Sequence, residues 1–135
     1  MLALAAGSGL APILSVLTKA LADGYRGAVD LLFSVRDRSE IFAADALAAL
    51  AHRHGNFAYR ITLTRAPPGE DRCLRGRVPD VLARDGQDLS AAIVLIAGVP
   101  AFADACASAV KRAGVDPSCV VVDSFLPRLP PKPPT

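Results

Sequence analysis

Tryptophan is absent from the chain, and it holds only two tyrosines and five phenylalanines. That is too little aromatic surface for the stacking platforms that grip single-stranded nucleic acid. Net charge is +2, too small to call for a nucleic-acid partner or an anionic membrane. The three cysteines, Cys73, Cys106 and Cys119, form no C-x-x-C pair. Their spacing excludes a disulfide framework, a zinc site and an iron–sulfur motif, leaving reduced structural thiols as in a cytoplasmic protein. His52 and His54 lie two apart on an expected helix, do not share a face, and suggest no metal. No hydrophobic run approaches a membrane span, so no membrane insertion is expected. The apolar start resembles a signal peptide only superficially. It lacks a basic leader, and a glycine turn and a proline interrupt it.

What remains is a chain of 135 residues, 52% hydrophobic and 21% charged, enough for one domain with a real core. An apolar strand begins at once with Leu2, so the expectation is a domain cut from a longer protein. That strand, Leu2 to Ala6, runs into Gly7-Ser8-Gly9-Leu10-Ala11-Pro12. Glycines at Gly7 and Gly9 permit a tight turn and close approach of a ligand to the main chain. Pro12 suits a first helical turn, whose N–H groups and dipole favour a phosphate. This is the build of a nucleotide-binding strand–turn–helix, with the third glycine of G-x-G-x-x-G replaced by Pro12. A turn of purely structural purpose, with Ser8 capping a backbone group, is an open alternative at this point.

Further along, Ile13, Leu14, Val16, Leu17 and Leu21 recur at helical spacing until Asp23-Gly24. A second strand runs from Ala28 to Val35, apolar enough to be covered on both faces. Asp37 and Glu40 form a capping-box pattern opening a helix through about Ala51, with Leu47 and Leu50 on its core face. The third strand is Phe57 to Thr64, followed by a polar loop from Arg65 to Gly76 and a short helix begun by Pro79. A fourth strand, Ala92 to Ala97, meets another glycine turn at Gly98-Val99-Pro100. A helix carrying Phe102, Ala105, Cys106, Ala109 and Val110 follows, ending at Gly114. The last strand is Val120 to Val122, with Asp123-Ser124-Phe125 at its end.

Strands alternating with helices predict an α/β fold: a three-layer, Rossmann-like parallel sheet of about five strands in the order 3-2-1-4-5, with helices on both faces. In that order strands one and four are neighbours at the switch point, where such sheets bind ligands beyond the carboxyl strand ends. Both glycine turns then border one crevice. The domain is expected over residues 1–126. The proline-rich tail 127–135 carries P-x-x-P spacings, but reads first as an extended tail or linker.

With these elements in place, the sequence resembles the pyridine-nucleotide-binding domain of the ferredoxin–NADP reductase superfamily from Leu2 to Phe125. The family's G-G-x-G-[IL]-A-P is matched by Ala6-Gly7-Ser8-Gly9-Leu10-Ala11-Pro12, except at the first glycine. The strand-two arginine is matched by Phe33-Ser34-Val35-Arg36, and the opening of the second helix by Glu40-Ile41-Phe42 and Asp45. Thr64-Arg65 and Gly76-Arg77-Val78 stand for the next two landmarks. The C-G-P turn is Ala97-Gly98-Val99-Pro100, and the closing Glu-x-Phe is Asp123-Ser124-Phe125.

The resemblance implies a nicotinamide-binding crevice. Gly7, Ser8 and Gly9, with Leu10 and Pro12, would pass under the pyrophosphate and nicotinamide, and Arg36, Thr64 and Arg65 would approach the adenosine ribose. Gly98, Val99 and Pro100 would border the nicotinamide, and Phe125 would close the site. No catalytic side chain is implied. The cofactor would be NADPH or NADH, and the arginines lean towards NADPH because a guanidinium can grip its 2′-phosphate. The implied activity is oxidoreduction: hydride passes from nicotinamide to FAD on a domain not in this chain, and electrons go on to an iron–sulfur, haem or oxygenase acceptor. A flavin-binding domain or subunit is therefore an expected partner, and an isolated chain is open to dimerising through the face that partner would cover. Two departures leave a non-catalytic nucleotide-binding module as an alternative. The family's nicotinamide-side cysteine is Ala97, and the flavin-binding barrel is absent from the sequence. An unrelated flavodoxin-like fold is a third reading.

Overall fold

Along the central strands, alternate residues pack into two different cores, as the period of two along a strand demands. A computed structural model describes residues 1–65 and 73–126. It contains β1 (Leu2–Ala6), α1 (Leu10–Ala22), β2 (Val29–Val35), α2 (Ala44–Arg53), β3 (Phe57–Leu63), β4 (Leu74–Arg75), α3 (Val78–Asp85), β5 (Val94–Gly98), α4 (Pro100–Arg112) and β6 (Val120–Ser124). Ala3, Ala5, Leu31 and Phe33 face a core filled by Leu10, Leu17 and Leu21 of α1 and by Leu47 and Leu50 of α2. Leu2, Leu4 and Leu32 face the opposite core, filled by Val78 and Val81 of α3 and by Ala103, Cys106 and Val110 of α4. The result is a parallel sheet covered on both faces, the three-layer α/β arrangement expected.

The sheet has six strands in the order β4-β3-β2-β1-β5-β6, all parallel. Five strands in the order 3-2-1-4-5 were expected. The difference is the two-residue strand Leu74–Arg75, which pairs with Thr62 and Leu63 at the outer edge. It lies at the end of the stretch read as a polar loop, and two residues are too short to show a periodicity. With the last two strands renumbered, the remaining order is the expected one. Residues 66–72 of that loop and the proline-rich tail 127–135 lie outside the described residues.

Three local expectations need correction. Asp37 does cap a turn, accepting from the Ser39 backbone N–H at 3.0 Å, but the turn is the 3-10 segment Arg38–Glu40. The second helix starts only at Ala44, after Ala43 in the left-handed region at φ 59°. Val16 is 49% exposed on the flank of α1 rather than in the core, because Ile13, Leu17 and Leu21 already fill the inward stripe. On α4 the inward position is Ala103, whereas Ala105 is exposed.

The far end of α3 is tied to the sheet by a two-point ion pair. Arg60 of β3 donates to both carboxylate oxygens of Asp85, at 3.2 and 2.6 Å. The Arg60 hydrogen bond holds the Asp85 carboxyl below its usual value of 3.8. A depressed folded pKa means that the pair stabilises the fold at neutral pH and that this contribution disappears as pH falls through the folded pKa. Asp85→Asn is therefore expected to lower stability to urea at pH 7, with the gap to wild type closing as the pH falls below the usual carboxylate range and through the lowered folded pKa. A gap independent of pH would show that the carboxylate charge is not the source.

Candidate functional site

The glycine turn between β1 and α1 is a single 3-10 turn, Gly7–Gly9, and its two glycines are needed for different reasons. Gly7 has φ +54°, which a side chain disfavours, and a Cβ there would stand in open space. Gly9 has ordinary helical angles, φ −61° and ψ −17°. Its constraint is steric: a Cβ would come within 2.6 Å of the Ala97 carbonyl carbon and 3.1 Å of the Gly98 nitrogen, both backbone atoms. The first glycine turn is thus seated directly on the end of β5. Leu10, completely buried, anchors this turn from below, and its N–H is bonded to the Gly7 and Ser8 carbonyls. Ser8 is exposed at the crest and Pro12 is half-buried. The helix begins at Leu10, so Pro12 is its third residue rather than its first.

The second glycine turn completes this half of the crevice. Ala5 pairs with Ala97 in register, and Gly98 with Ser124. The Phe125 N–H donates to the Gly98 carbonyl at 3.2 Å, which places Phe125 beside the turn. Val99 is 39% exposed and caps α4, and Pro100 is that helix's first residue. A Cβ on Gly98 would strike the Phe102 ring at 2.6 Å, so glycine here leaves room for that ring.

A second group of expected residues gathers at the neighbouring strand ends. The Thr64 N–H donates to the Val35 carbonyl at 3.0 Å and the Arg65 N–H to the Arg36 carbonyl at 2.8 Å. These bonds stitch the exits of β2 and β3 together and hold Arg36, Thr64 and Arg65 on one rim, all exposed. Since β2 lies beside β1, this rim flanks the glycine crevice along the same carboxyl edge. The expected residues therefore form two adjoining clusters: Gly7, Ser8, Gly9, Leu10, Pro12, Gly98, Val99, Pro100 and Phe125 around β1 and β5, and Arg36, Thr64 and Arg65 at β2 and β3.

Two acids on that rim were not expected there. The Arg36 Nε donates to the Glu40 Oε1 at 2.9 Å, because the 3-10 turn folds back beneath the end of β2. Asp37 accepts from Ser39, whose hydroxyl holds the carboxyl below its usual value, with the charges of Arg36 and Arg65 adding to the effect. The spacing of Arg36 and Glu40, four apart, is the sequence signal that would have paired them. Among the described residues no group of three or more His, Cys, Asp or Glu side chains could hold a metal. Nor is any helix among them long and apolar enough to cross a membrane.

Residues 3–108 match the family model described as the oxidoreductase NAD-binding domain. The chain belongs to this family. It is 34% identical over 127 residues to the ferredoxin–NAD(P)+ reductase component of the naphthalene 1,2-dioxygenase/salicylate 5-hydroxylase systems of Ralstonia sp., with 94% of this chain and 38% of that protein aligned. It is also 34% identical over 129 residues to the ferredoxin–NAD+ reductase component of the alkene monooxygenase system of Xanthobacter autotrophicus, covering 93% of this chain and 39% of that protein. Among solved structures, the Amycolatopsis cytochrome P450 reductase GcoB superposes with a TM-score of 0.87 at 25% identity, over 94% of this chain and 38% of that one. This NAD-binding domain thus spans about two fifths of the length of the relatives it matches.

The residues present suit a dinucleotide. A turn lacking side-chain bulk at Gly7 opens to solvent at the head of a helix, and guanidinium groups stand on the adjoining rim. The seating of Gly9 on β5 gives the sharpest test of this geometry. Gly9→Ala is expected to cost about 1–3 kcal/mol by forcing two backbones apart. Gly7→Ala is expected to cost only about 1 kcal/mol, from its left-handed backbone alone. Chemical denaturation of both variants would reveal the asymmetry; equal losses would rule out the close approach at Gly9.

Proposed function

We propose that the crevice between the Gly7–Gly9 and Gly98–Pro100 turns binds the nicotinamide end and pyrophosphate of NADH or NADPH. The adenosine ribose would lie on the rim of Arg36, Thr64 and Arg65. The observation that carries this reading is the seating of Gly9 against Ala97 and Gly98, which joins the two turns into one crevice at the switch point of the sheet. Exposed Ser8 would line the path of the pyrophosphate, with the helix that starts at Leu10 turning its positive end towards it. Phe125, tied to Gly98 through its backbone, would close the nicotinamide side.

In this reading the domain belongs to a flavin-dependent reductase of an oxygenase system. Support comes from the aligned relatives, both reductase components of such systems. Bound there, the dinucleotide would supply hydride to FAD on a domain outside this sequence, for onward electron transfer to an iron–sulfur, haem or oxygenase partner. The chain's own part is to bind and orient, and no side chain is required as a proton donor or acceptor. Ala97, buried where the family carries a cysteine, gives a second reading as a binding module without hydride transfer.

Parallel calorimetric titrations with NADH and NADPH test the site. Saturable binding of at least one is expected. Ser8→Glu, which sets a carboxylate in the phosphate path without touching the Gly9 packing, should weaken binding at least about tenfold with an unchanged melting temperature. Absence of binding to both nucleotides, with and without a flavin domain added in trans, would overturn the proposal. Binding without hydride transfer to that added flavin would select the second reading.

A further inference from the structure

We infer that Glu40 is a specificity-determining residue that restrains Arg36 and so favours the dinucleotide lacking a 2′-phosphate, NADH. This inference rests on the nucleotide-binding reading above and adds to it a choice of substrate. Arg36 and Thr64-Arg65 taken alone lean the other way, towards NADPH; the ion pair on Arg36 changes the balance.

The geometry begins at the end of β2. Asp37 caps Ser39, which tightens the chain into the 3-10 turn Arg38–Glu40 and brings Glu40 back under Arg36. The Arg36 Nε then donates to Glu40 Oε1 at 2.9 Å. The Glu40 side chain is 34% exposed and that of Arg36 60%, so the acid is the fixed partner and the arginine the arm it holds. Arginine grips a phosphate best with two parallel N–H groups of its planar fork. With Nε committed to a carboxylate, the side of the fork that combines Nε with a neighbouring Nη is occupied.

Charge acts in the same direction. The rim carries Arg36, Arg38 and Arg65 as cations and Asp37 and Glu40 as anions. Arg36 is answered by Glu40, and Asp37 faces the charges of both Arg36 and Arg65. A 2′-phosphate brings about two further negative charges to this rim and has to compete with two carboxylates for its guanidinium groups. A ribose 2′-hydroxyl brings none, and as a donor it is compatible with an acid. An exposed ion pair of this kind contributes little to folding stability, so Glu40 can be removed without loss of the fold.

The test is a set of titrations of the full 135-residue chain with NADH, NADPH, AMP and 2′,5′-ADP. Wild type is expected to bind NADH more tightly than NADPH. Glu40→Ala should raise the affinity for NADPH relative to NADH about tenfold, as expected for a released charge-assisted contact, and raise 2′,5′-ADP relative to AMP in the same direction. The double variant Arg36→Ala with Glu40→Ala should lose that gain, which identifies Arg36 as the group released. A purely structural role of Glu40 would lower all four affinities together and leave both ratios unchanged, overturning the inference. A wild-type preference for NADPH would overturn it as well. Silence of wild type with every nucleotide would instead remove the binding reading on which it rests.

Discussion

The contact of Gly9 with the end of β5 is the constraint on which the rest of the crevice depends. One side chain atom at that position would enter the space of the Ala97 and Gly98 backbone. Because it is absent, the first turn drops onto the neighbouring strand, Leu10 reaches the core, and α1 is aimed along the face of the sheet. The two turns at the switch point are thereby packed directly against each other. A site assembled in this way is held by packed backbone rather than by flexible side chains, which suits a task of orientation.

The adjoining rim is built on the opposite principle. Its members are polar and mostly exposed, and several are tied to one another by hydrogen bonds and charge. Backbone bonds between the exits of β2 and β3 connect it to the sheet, and just beyond the 3-10 turn the Phe42 ring packs edge-on against Phe33 of β2. A half of packed backbone and a more adjustable half of exposed side chains lie side by side along the same carboxyl edge. Substitution in the adjustable half changes the local field without disturbing the core, as loops at strand ends allow in this class of fold.

The fold was legible because β1, β2 and β5 are buried on both faces and so appear as nearly unbroken apolar runs. The helices between them carry a stripe of leucines or small residues at helical spacing. The glycine turns were legible because their residue types are unusual. Less visible were features with a weak or conflicting local signal. Leu74–Arg75 is too short for periodicity, and Ala43 takes a left-handed angle that alanine gives no reason to expect. Of the capping pattern at Asp37 and Glu40, Asp37 does cap, but a 3-10 turn rather than the second helix, while the Glu40 side chain bonds Arg36. Both acids stand on the rim, a use that the capping pattern does not announce. Likewise Gly9 is expected from sequence to permit a tight turn and the approach of a ligand, whereas its angles are ordinary and contact with a strand distant in sequence is what excludes a side chain.

The position of β1 in the sheet has a consequence for how the chain reaches this state. Its neighbours are β2, which follows immediately, and β5, which does not begin until Val94. The half containing β1, α1, β2, α2 and β3 closes its core through nearby segments. The other half must wait for β5 to insert beside β1, closing a long loop of chain. The core beneath Leu2 and Leu4 is likewise made with residues of β5 and α4 from the far end of the chain. The contact of Gly9 with Ala97 thus closes a loop spanning most of the domain, a non-local contact of the kind that slows folding.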